Sequence, residues 1–228
     1  MAAATAKPAL SKPGLSKPGR DCPLCPRLVD YRHACRAKEP GWFNAPVPSF
    51  GPETARLLIV GLAPGVQGAN RTGRPFTGDY AGVLLYETLG RYGFAQGTFD
   101  ARIDDGLTLT DCRITNAVRC VPPENKPLPV EINTCRDFLT PTIAEMKNLK
   151  AIVVLGHIAH NSVVSAFGAK KSATPFKHAG RNMLALPGGK SIALFSSYHC
   201  SRYNTNTGVL TPAMFRDVFT KVRDYLAS

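Results

Sequence analysis

The sequence lacks any long apolar run and has few acidic residues. Its longest candidates, Leu57 to Val60 and Ile152 to Leu155, are only long enough for buried strands, and a membrane-spanning helix needs ~18 residues. Asp and Glu number 16 against 28 Lys and Arg, which leaves a net charge of +12. This excess favours a polyanionic partner, although a merely basic soluble protein has the same composition. A hydrophobic content of 44% excludes a wholly disordered chain.

Acidic residues are absent from positions 1–20, where a Ser-Lys-Pro-Gly repeat occurs at 11–14 and again at 16–19. Proline and glycine at this density disfavour both helix and strand, so we expect a disordered basic tail over 1–20. The segment also lacks the apolar stretch of a secretory signal. We therefore expect a single domain over 21–228 in a cytoplasmic protein that does not associate with membranes.

Apolar runs alternate with helical patterns from residue 55 onward. The runs that predict buried strands cover 57–60, 113–118, 151–155 and 192–196, and the helical patterns cover 80–92, 129–149, 159–167 and 212–226. This alternation predicts an α/β fold, a three-layer α/β/α sandwich around a mostly parallel four-stranded sheet. In such folds the functional groups collect beyond the carboxyl ends of the strands. The segments 61–79, 116–127 and 197–208 are therefore expected to converge on one rim.

The chain contains seven cysteines and no export signal, so disulfides are not expected. Cys22 and Cys25 form a tight Cys-x-x-Cys pair, and Cys120 and Cys135 are separated by 14 residues. Four thiolates suit a Cys₄ zinc site or an iron–sulfur cluster, and the residues alone favour neither metal. Three further cysteines, Cys35, Cys112 and Cys200, are not part of this pattern. Of these, only Cys35 is a plausible alternative ligand.

Three motifs, in this order, resemble those of the uracil-DNA glycosylases. They are GLAPGVQGANRTGRPFTGD at 61–79, NAVRCVPPENKP at 116–127 and SYHCSRYNTNTG at 197–208. The resemblance is to the iron–sulfur-containing members, most closely to family 5, and it extends from about Cys22 to the last helix. It implies a monomeric, monofunctional glycosylase that removes uracil, and other deaminated bases, from DNA. It also implies a [4Fe-4S] cluster, with four ligands: Cys22, Cys25, Cys120 and Cys135.

The resemblance assigns base binding to the first two motifs. Glycines in the first let the backbone approach a ligand closely, and Phe76 offers a face for a flipped base, although a lone phenylalanine is more often an ordinary core residue. The Asn116 amide is both donor and acceptor, which suits the O4 and N3–H edge of uracil. The expected base-binding residues are Leu62, Ala63, Pro64, Phe76, Thr77 and Asn116.

The expected catalytic residues are Asp79, Asn125 and His199. Related enzymes carry a polar group at the position of Leu62 or Ala63, and neither is polar here. Asp79 is therefore expected to supply the carboxylate, although it also suits a helix N-terminus. A neutral His199 would stabilise the negative charge that develops on uracil O2. The usual His-Pro-Ser is His-Cys-Ser here, which is expected to loosen the turn at Cys200.

Several basic residues near these motifs are expected to contact DNA. Arg202 and Tyr203 occupy the place where the family inserts a wedge into the duplex. The predicted DNA-binding residues are Arg71, Arg74, Arg202 and Tyr203. A non-catalytic nucleic-acid-binding protein on the same fold remains an alternative, because Leu62 and Ala63 are apolar. A zinc-dependent nucleic-acid hydrolase is disfavoured, because no His/Asp/Glu cluster has the spacing of an open site.

Overall fold

A computed structural model describes residues 17–186 and 189–228. Its strands are β1 (Leu57–Gly61), β2 (Ala95–Gln96), β3 (Thr108–Leu109), β4 (Cys112–Asn116), β5 (Ala151–Leu155), β6 (Arg181–Ala185) and β7 (Ser191–Ser197). Its α-helices are α1 (Pro26–Lys38), α2 (Ala69–Thr72), α3 (Tyr80–Arg91), α4 (Pro129–Glu145), α5 (His157–Ala166), α6 (Arg202–Asn206) and α7 (Pro212–Ala227). Short 3₁₀ helices cover Pro123–Asn125 and Lys171–Ala173.

The central sheet has five strands in the order β4-β1-β5-β7-β6. The first four are parallel, and β6 pairs antiparallel with β7 at the edge. The predicted mostly parallel α/β fold is confirmed, but the predicted count of four strands is wrong by one. The sequence pattern missed β6 because only Leu184 of its five residues is buried, as is usual for an edge strand.

Alternating residues of the sheet enter two separate cores, which explains why its strands are apolar throughout. On β1, Leu57 and Ile59 pack with α3 and α7, and Leu58 and Val60 pack with α4 and α5. Side chains alternate between the two faces of a strand, so both faces are covered by helices. The predicted three-layer arrangement is therefore present.

The N-terminal segment is tied to the body of the domain by an ion pair. Arg27 on α1 donates two hydrogen bonds to Glu131 on α4, both 2.8 Å long. Of the predicted tail, positions 1–16 lie outside the described residues. Residues 17–20 are described, and Lys17 forms an ion pair with Glu53 at 3.2 Å. None of the described helices has the length and apolar character needed to cross a membrane.

Candidate functional site

A pocket of about 530 Å³ opens at the carboxyl ends of the parallel strands. Its walls come from all three motif segments and from the start of α3, so the predicted convergence is confirmed. The lining residues are Leu62, Ala63, Pro64, Gly65, Val66, Gln67, Gly68, Ala69, Phe76, Asp79, Tyr80, Ala81, Asn116, Asn125, His199, Ser201 and Arg202. We call this the rim pocket.

Asn116 supplies the buried amide of the rim pocket. It is the last residue of β4, directly opposite Gly61 on β1, and it is 3% exposed. Its Oδ1 atom is buried without a hydrogen-bond partner among the described residues. Leaving a buried polar atom unpaired costs ~1–3 kcal/mol, so this oxygen is available to a ligand.

Phe76 forms an apolar wall of the rim pocket in a backbone conformation that is unusual for phenylalanine. Its φ of 56° lies in the left-handed region, which costs of order 1–3 kcal/mol outside glycine. A Cβ atom on Gly61 would lie 2.6 Å from the Phe76 ring, and one on Gly82 would overlap the Phe76 carbonyl. Both glycines are therefore required for the position of this ring.

Asp79 both caps a helix and lines the rim pocket. Its Oδ1 atom accepts a hydrogen bond of 3.0 Å from the backbone N–H of Gly82, in the first turn of α3. Its Oδ2 atom lies against Gly65 and Gly68. The structural and the catalytic interpretations of this carboxylate are thus compatible, because Oδ1 caps the helix and Oδ2 is left for catalysis.

His199 lines the rim pocket and stacks beside Phe76 of the Gly61–Asp79 loop, with ring centroids 6.2 Å apart. Burial lowers the pKa of His199, and the Asp79 charge only partly opposes that shift. The imidazole is therefore neutral near pH 7. The backbone carbonyl of His199 accepts a 2.8 Å hydrogen bond from the Asn204 amide, which fixes the turn.

The turn with the unusual Cys200 is held by a contact that proline cannot make. Cys200 is fully buried, and its thiol lies 3.5 Å from the carbonyl oxygen of Ala81 on α3. The following Ser201 caps α6 by accepting from the Asn204 N–H at 3.3 Å. The expected loosening of this turn is therefore offset by packing against α3.

Two predicted site residues lie behind the rim pocket rather than in it. Arg74 is buried in an ion pair with Asp105, at 2.6 Å, and its Nε donates to Thr77 Oγ1 at 2.8 Å. The side chains of this pair are only 4% and 1% exposed. The expectation that Arg74 contacts DNA is therefore corrected, as is the expectation that Thr77 contacts the base. The charge of Arg74 is neutralised inside the fold, where it also lies 5.3 Å from the centre of the Phe50 ring.

The other predicted DNA-binding residues are at the surface. Arg71 is exposed, and its Nε donates to the Gln67 carbonyl at 3.1 Å. Arg202 lies over the ring of Tyr80 at 5.5 Å, at the mouth of the rim pocket. Tyr203 is 74% exposed, with its ring free for a partner.

Three polar lining residues were missed by the sequence interpretation: Gln67, Tyr80 and Ser201. Gln67 lies within the first motif and Ser201 within the third, and Tyr80 directly follows the first motif. Their position in those segments was therefore a usable signal, although residue type alone did not distinguish them from other loop residues. Tyr80 is the most informative of them because it orients Arg202.

The four predicted metal ligands line one small cavity between α1, α4 and the loop after β4. Cys22, Cys25, Cys120 and Cys135 all contribute to its wall, and Cys35 does not. The backbone N–H of Arg119 donates to the Cys135 sulfur at 3.2 Å, and the Arg32 guanidinium lies 3.7 Å from the Cys120 sulfur. We call this the cysteine cavity.

Burial acts strongly on the thiols of the cysteine cavity. It raises the pKa of Cys120 to about 11 and that of Cys135 to about 12. Within 17–186 and 189–228, no three His, Cys, Asp or Glu side chains converge as a site for a single metal ion. The four cysteines nevertheless line the same cavity.

Known proteins resemble this chain over most of its length. The family model described as the uracil DNA glycosylase superfamily matches residues 48–223. A type-5 uracil-DNA glycosylase of Thermus thermophilus is 43% identical over 208 residues, covering 89% of this chain and 92% of that protein. A type-5 enzyme of Mycobacterium bovis is 40% identical over 213 residues, covering 89% and 77%. One of Pyrobaculum aerophilum is 35% identical over 205 residues, covering 88% and 87%.

Proposed function

The chain belongs to the uracil DNA glycosylase superfamily, and we propose that its rim pocket excises uracil from DNA in base-excision repair. The reaction is hydrolysis of the N-glycosidic bond, with water as the nucleophile. The observation that carries the proposal is the convergence of Asn116, Phe76 and His199 on one pocket. A duplex hides the glycosidic bond, so the nucleotide must first rotate out of the stack into that pocket.

Recognition of uracil is assigned to Asn116. The unpartnered Oδ1 atom accepts the N3–H of uracil, and the amide nitrogen donates to O4. Cytosine presents an acceptor at N3 and a donor at C4, so the same amide is mismatched at both positions. The Phe76 ring supplies the stacking surface for the flipped base, and its strained backbone is held by the surrounding fold.

Charge separation in the transition state is assigned to two groups. Breaking the bond leaves negative charge on uracil, which a neutral His199 stabilises by donating its N–H. The deoxyribose becomes positive, and the Asp79 carboxylate is the acidic side chain that lines the rim pocket. Asn125 lies near Asp79 beside Gly65, where its amide can orient the attacking water.

Cleavage of the DNA strand is not part of the proposed reaction. Strand cleavage by a bifunctional glycosylase uses an amine that forms a Schiff base with the sugar. None of the residues that line the rim pocket is a lysine. The product is therefore an abasic site in an intact strand.

Binding of the duplex is assigned to Arg202, which lines the rim pocket, and to the exposed Arg71 and Tyr203. The arginines pair with phosphates, and Tyr203 fills the gap that the flipped nucleotide leaves. We further propose that one chain acts alone, because a single chain supplies every group of this site.

The cysteine cavity is proposed to hold a [4Fe-4S] cluster, with Cys22, Cys25, Cys120 and Cys135 as ligands. Two observations support the fit: the four cysteines line one common cavity, and N–H donors face two of their sulfurs. Hydrogen bonds to cluster sulfurs are typical of such sites. When bound, the cluster would fasten α1 to the loop after β4, which is a structural role.

The rival function is a uracil- or nucleic-acid-binding protein without catalysis, which the apolar Leu62 and Ala63 favour. A panel of U:G, U:A, single-stranded uracil and hypoxanthine substrates distinguishes the two and ranks the bases. We expect free uracil and abasic strands that break only after alkali treatment. Binding of uracil-containing DNA without release of any base would support the rival.

A further inference from the structure

Three lysines project from the loop that joins α5 to β6, outside the rim pocket. Lys170, Lys171 and Lys177 are all exposed. Among the residues that the structure describes, no acidic side chain forms an ion pair with them. Asp217 on α7, whose charge acts on the neighbouring His178, is already paired with Lys221 at 2.8 Å. The loop therefore carries three uncompensated positive charges.

The sheet topology places the end of this loop, directly before β6, on the same rim as His199. Because β6 is antiparallel to β7, with Arg181 opposite Phe195, the residues before β6 lie beyond the carboxyl end of β7. The N–H of Ala179 donates to the Ser196 carbonyl at 2.8 Å. In the order of the strands, β7 lies between β1 and β6, so the loop is on the far side of His199 from the Gly61–Asp79 loop.

A buried histidine fixes the loop in place. His160 on α5 is fully buried, with Nε2 2.8 Å from the Thr174 carbonyl and Nδ1 2.9 Å from Ser196 Oγ. A carbonyl only accepts, so Nε2 donates and Nδ1 accepts from the serine hydroxyl. This bridge connects Thr174 to β7, and Thr174 is bonded in turn to the backbone of Lys170 and Lys171, so the loop is held against the sheet.

An aromatic stack adjoins Lys177 and the turn that carries His199. Tyr198 directly precedes His199, and its ring stacks on His178 with centroids 4.8 Å apart and planes at 12°. His178 Nδ1 accepts a 3.1 Å hydrogen bond from the Tyr198 N–H. Phe176 supports the tyrosine ring at 6.0 Å. Tyr198 is nevertheless 37% exposed, so it has surface left for a partner.

We propose that a second DNA-contact surface binds the nucleotides that flank the flipped one. It consists of Tyr198 and three lysines, Lys170, Lys171 and Lys177. The ammonium groups pair with successive phosphates, and the Tyr198 ring stacks on an adjacent base. The surface extends the footprint on DNA beyond Arg71 and Arg202. It rests on the proposed function, because the rim pocket defines where the flipped nucleotide sits.

The test compares two triple variants that lose the same charge. Lys170→Ala/Lys171→Ala/Lys177→Ala alters the proposed surface. Lys147→Ala/Lys150→Ala/Lys190→Ala is the control, because these exposed lysines line a cleft at the opposite end of β5 and β7. Dissociation constants are measured by fluorescence anisotropy over a series of salt concentrations. The probe is a duplex with a 2′-fluorinated deoxyuridine that resists hydrolysis.

We expect the first variant to bind about tenfold or more weakly and to lower the log–log salt slope by about 2–3, since each phosphate contact contributes about 0.9. The control should retain the slope, and the single-turnover rate at saturating DNA should be unchanged in both. Tyr198→Leu, which keeps apolar packing on His178, should weaken binding about tenfold with little change in slope.

Equal affinities and slopes for the two triple variants would overturn the proposed surface. Excision activity separates this failure from failure of the proposed function. If the wild-type protein releases no uracil from a cleavable duplex while the first variant still loses salt slope, the surface stands and the proposed function fails. If the wild-type protein releases uracil and the first variant keeps the wild-type slope, the proposed function stands and the surface fails.

Discussion

The rim pocket and the cysteine cavity differ in what burial does for them. Burial favours the uncharged form in both, since it lowers the pKa of His199 and raises the pKa values of Cys120 and Cys135. An uncharged His199 is the form that donates to a developing oxyanion. Uncharged thiols, in contrast, are poor metal ligands. Burial therefore supports the role proposed for His199, whereas the role proposed for the cysteines requires them to lose their protons, as metal binding does.

The largest effect should follow loss of a cysteine from the cavity. Purified without oxygen, the protein should be brown and contain about four irons per chain, as expected for one cubane cluster. Cys22→Ala or Cys135→Ala should abolish this iron and lower the yield of soluble protein, with little change in base preference. Cys200→Ala is the matched control, because that cysteine packs on α3 away from the cavity, and it should keep its iron. One zinc and no iron in the wild-type protein would contradict the assignment.

Removing either the carboxylate or the imidazole of the rim pocket should have the next largest effect. Asp79→Ala and His199→Ala should each lower the single-turnover rate of uracil release by ~10²-fold or more, as electrostatic stabilisation typically supplies. DNA binding should survive, because phosphate contacts elsewhere supply most of the affinity. Asp79→Asn is a control for the helix cap, since its side-chain oxygen still accepts from Gly82. A wild-type rate for Asp79→Ala would mean that departure of the base, assisted by His199, dominates.

Loss of the buried amide should have a somewhat smaller effect. Asn116→Ala and Asn116→Asp should weaken excision by roughly 2–3 kcal/mol in kcat/KM, because the polar edge of uracil then lacks its partner. Asn204→Ala is a useful comparison, since that amide supports the His199 turn without lining the rim pocket. Unchanged activity of both Asn116 variants on U:G pairs would make Asn116 a structural residue.

The smallest effect concerns pH. Because burial lowers the pKa of His199, the rate should stay level through the usual histidine value of about 6.5 and fall only at lower pH. The unfolded chain binds this proton more tightly, so the free energy of unfolding should also decrease as the pH falls below that value. A pH–rate profile of the wild-type protein beside His199→Gln separates this ionisation from others. A fall in rate centred at or above pH 6.5 would contradict the neutral imidazole.

The sequence predicts the parallel strands and the rim pocket well, because both depend on local patterns. Runs such as Leu57 to Val60 are apolar on both faces, and the loops that follow them necessarily meet at one edge. The edge strand β6 was missed because it buries little. Arg74 was misplaced because its partner Asp105 is 31 residues away, and no local pattern reveals a buried ion pair. The sequence interpretation therefore failed where a charge is neutralised by a residue that is distant in the sequence.

In the proposed mechanism Asp79 and His199, which both line the rim pocket, stabilise the two charges of one transition state. The most direct test is the single-turnover rate of uracil release from a U:G duplex by the Asp79→Ala/His199→Ala double variant, compared with both single variants. If the two groups act together, the double variant should lose less than the product of the single losses. A double variant whose loss equals the product of the two single losses would show that the groups act independently and would contradict this mechanism.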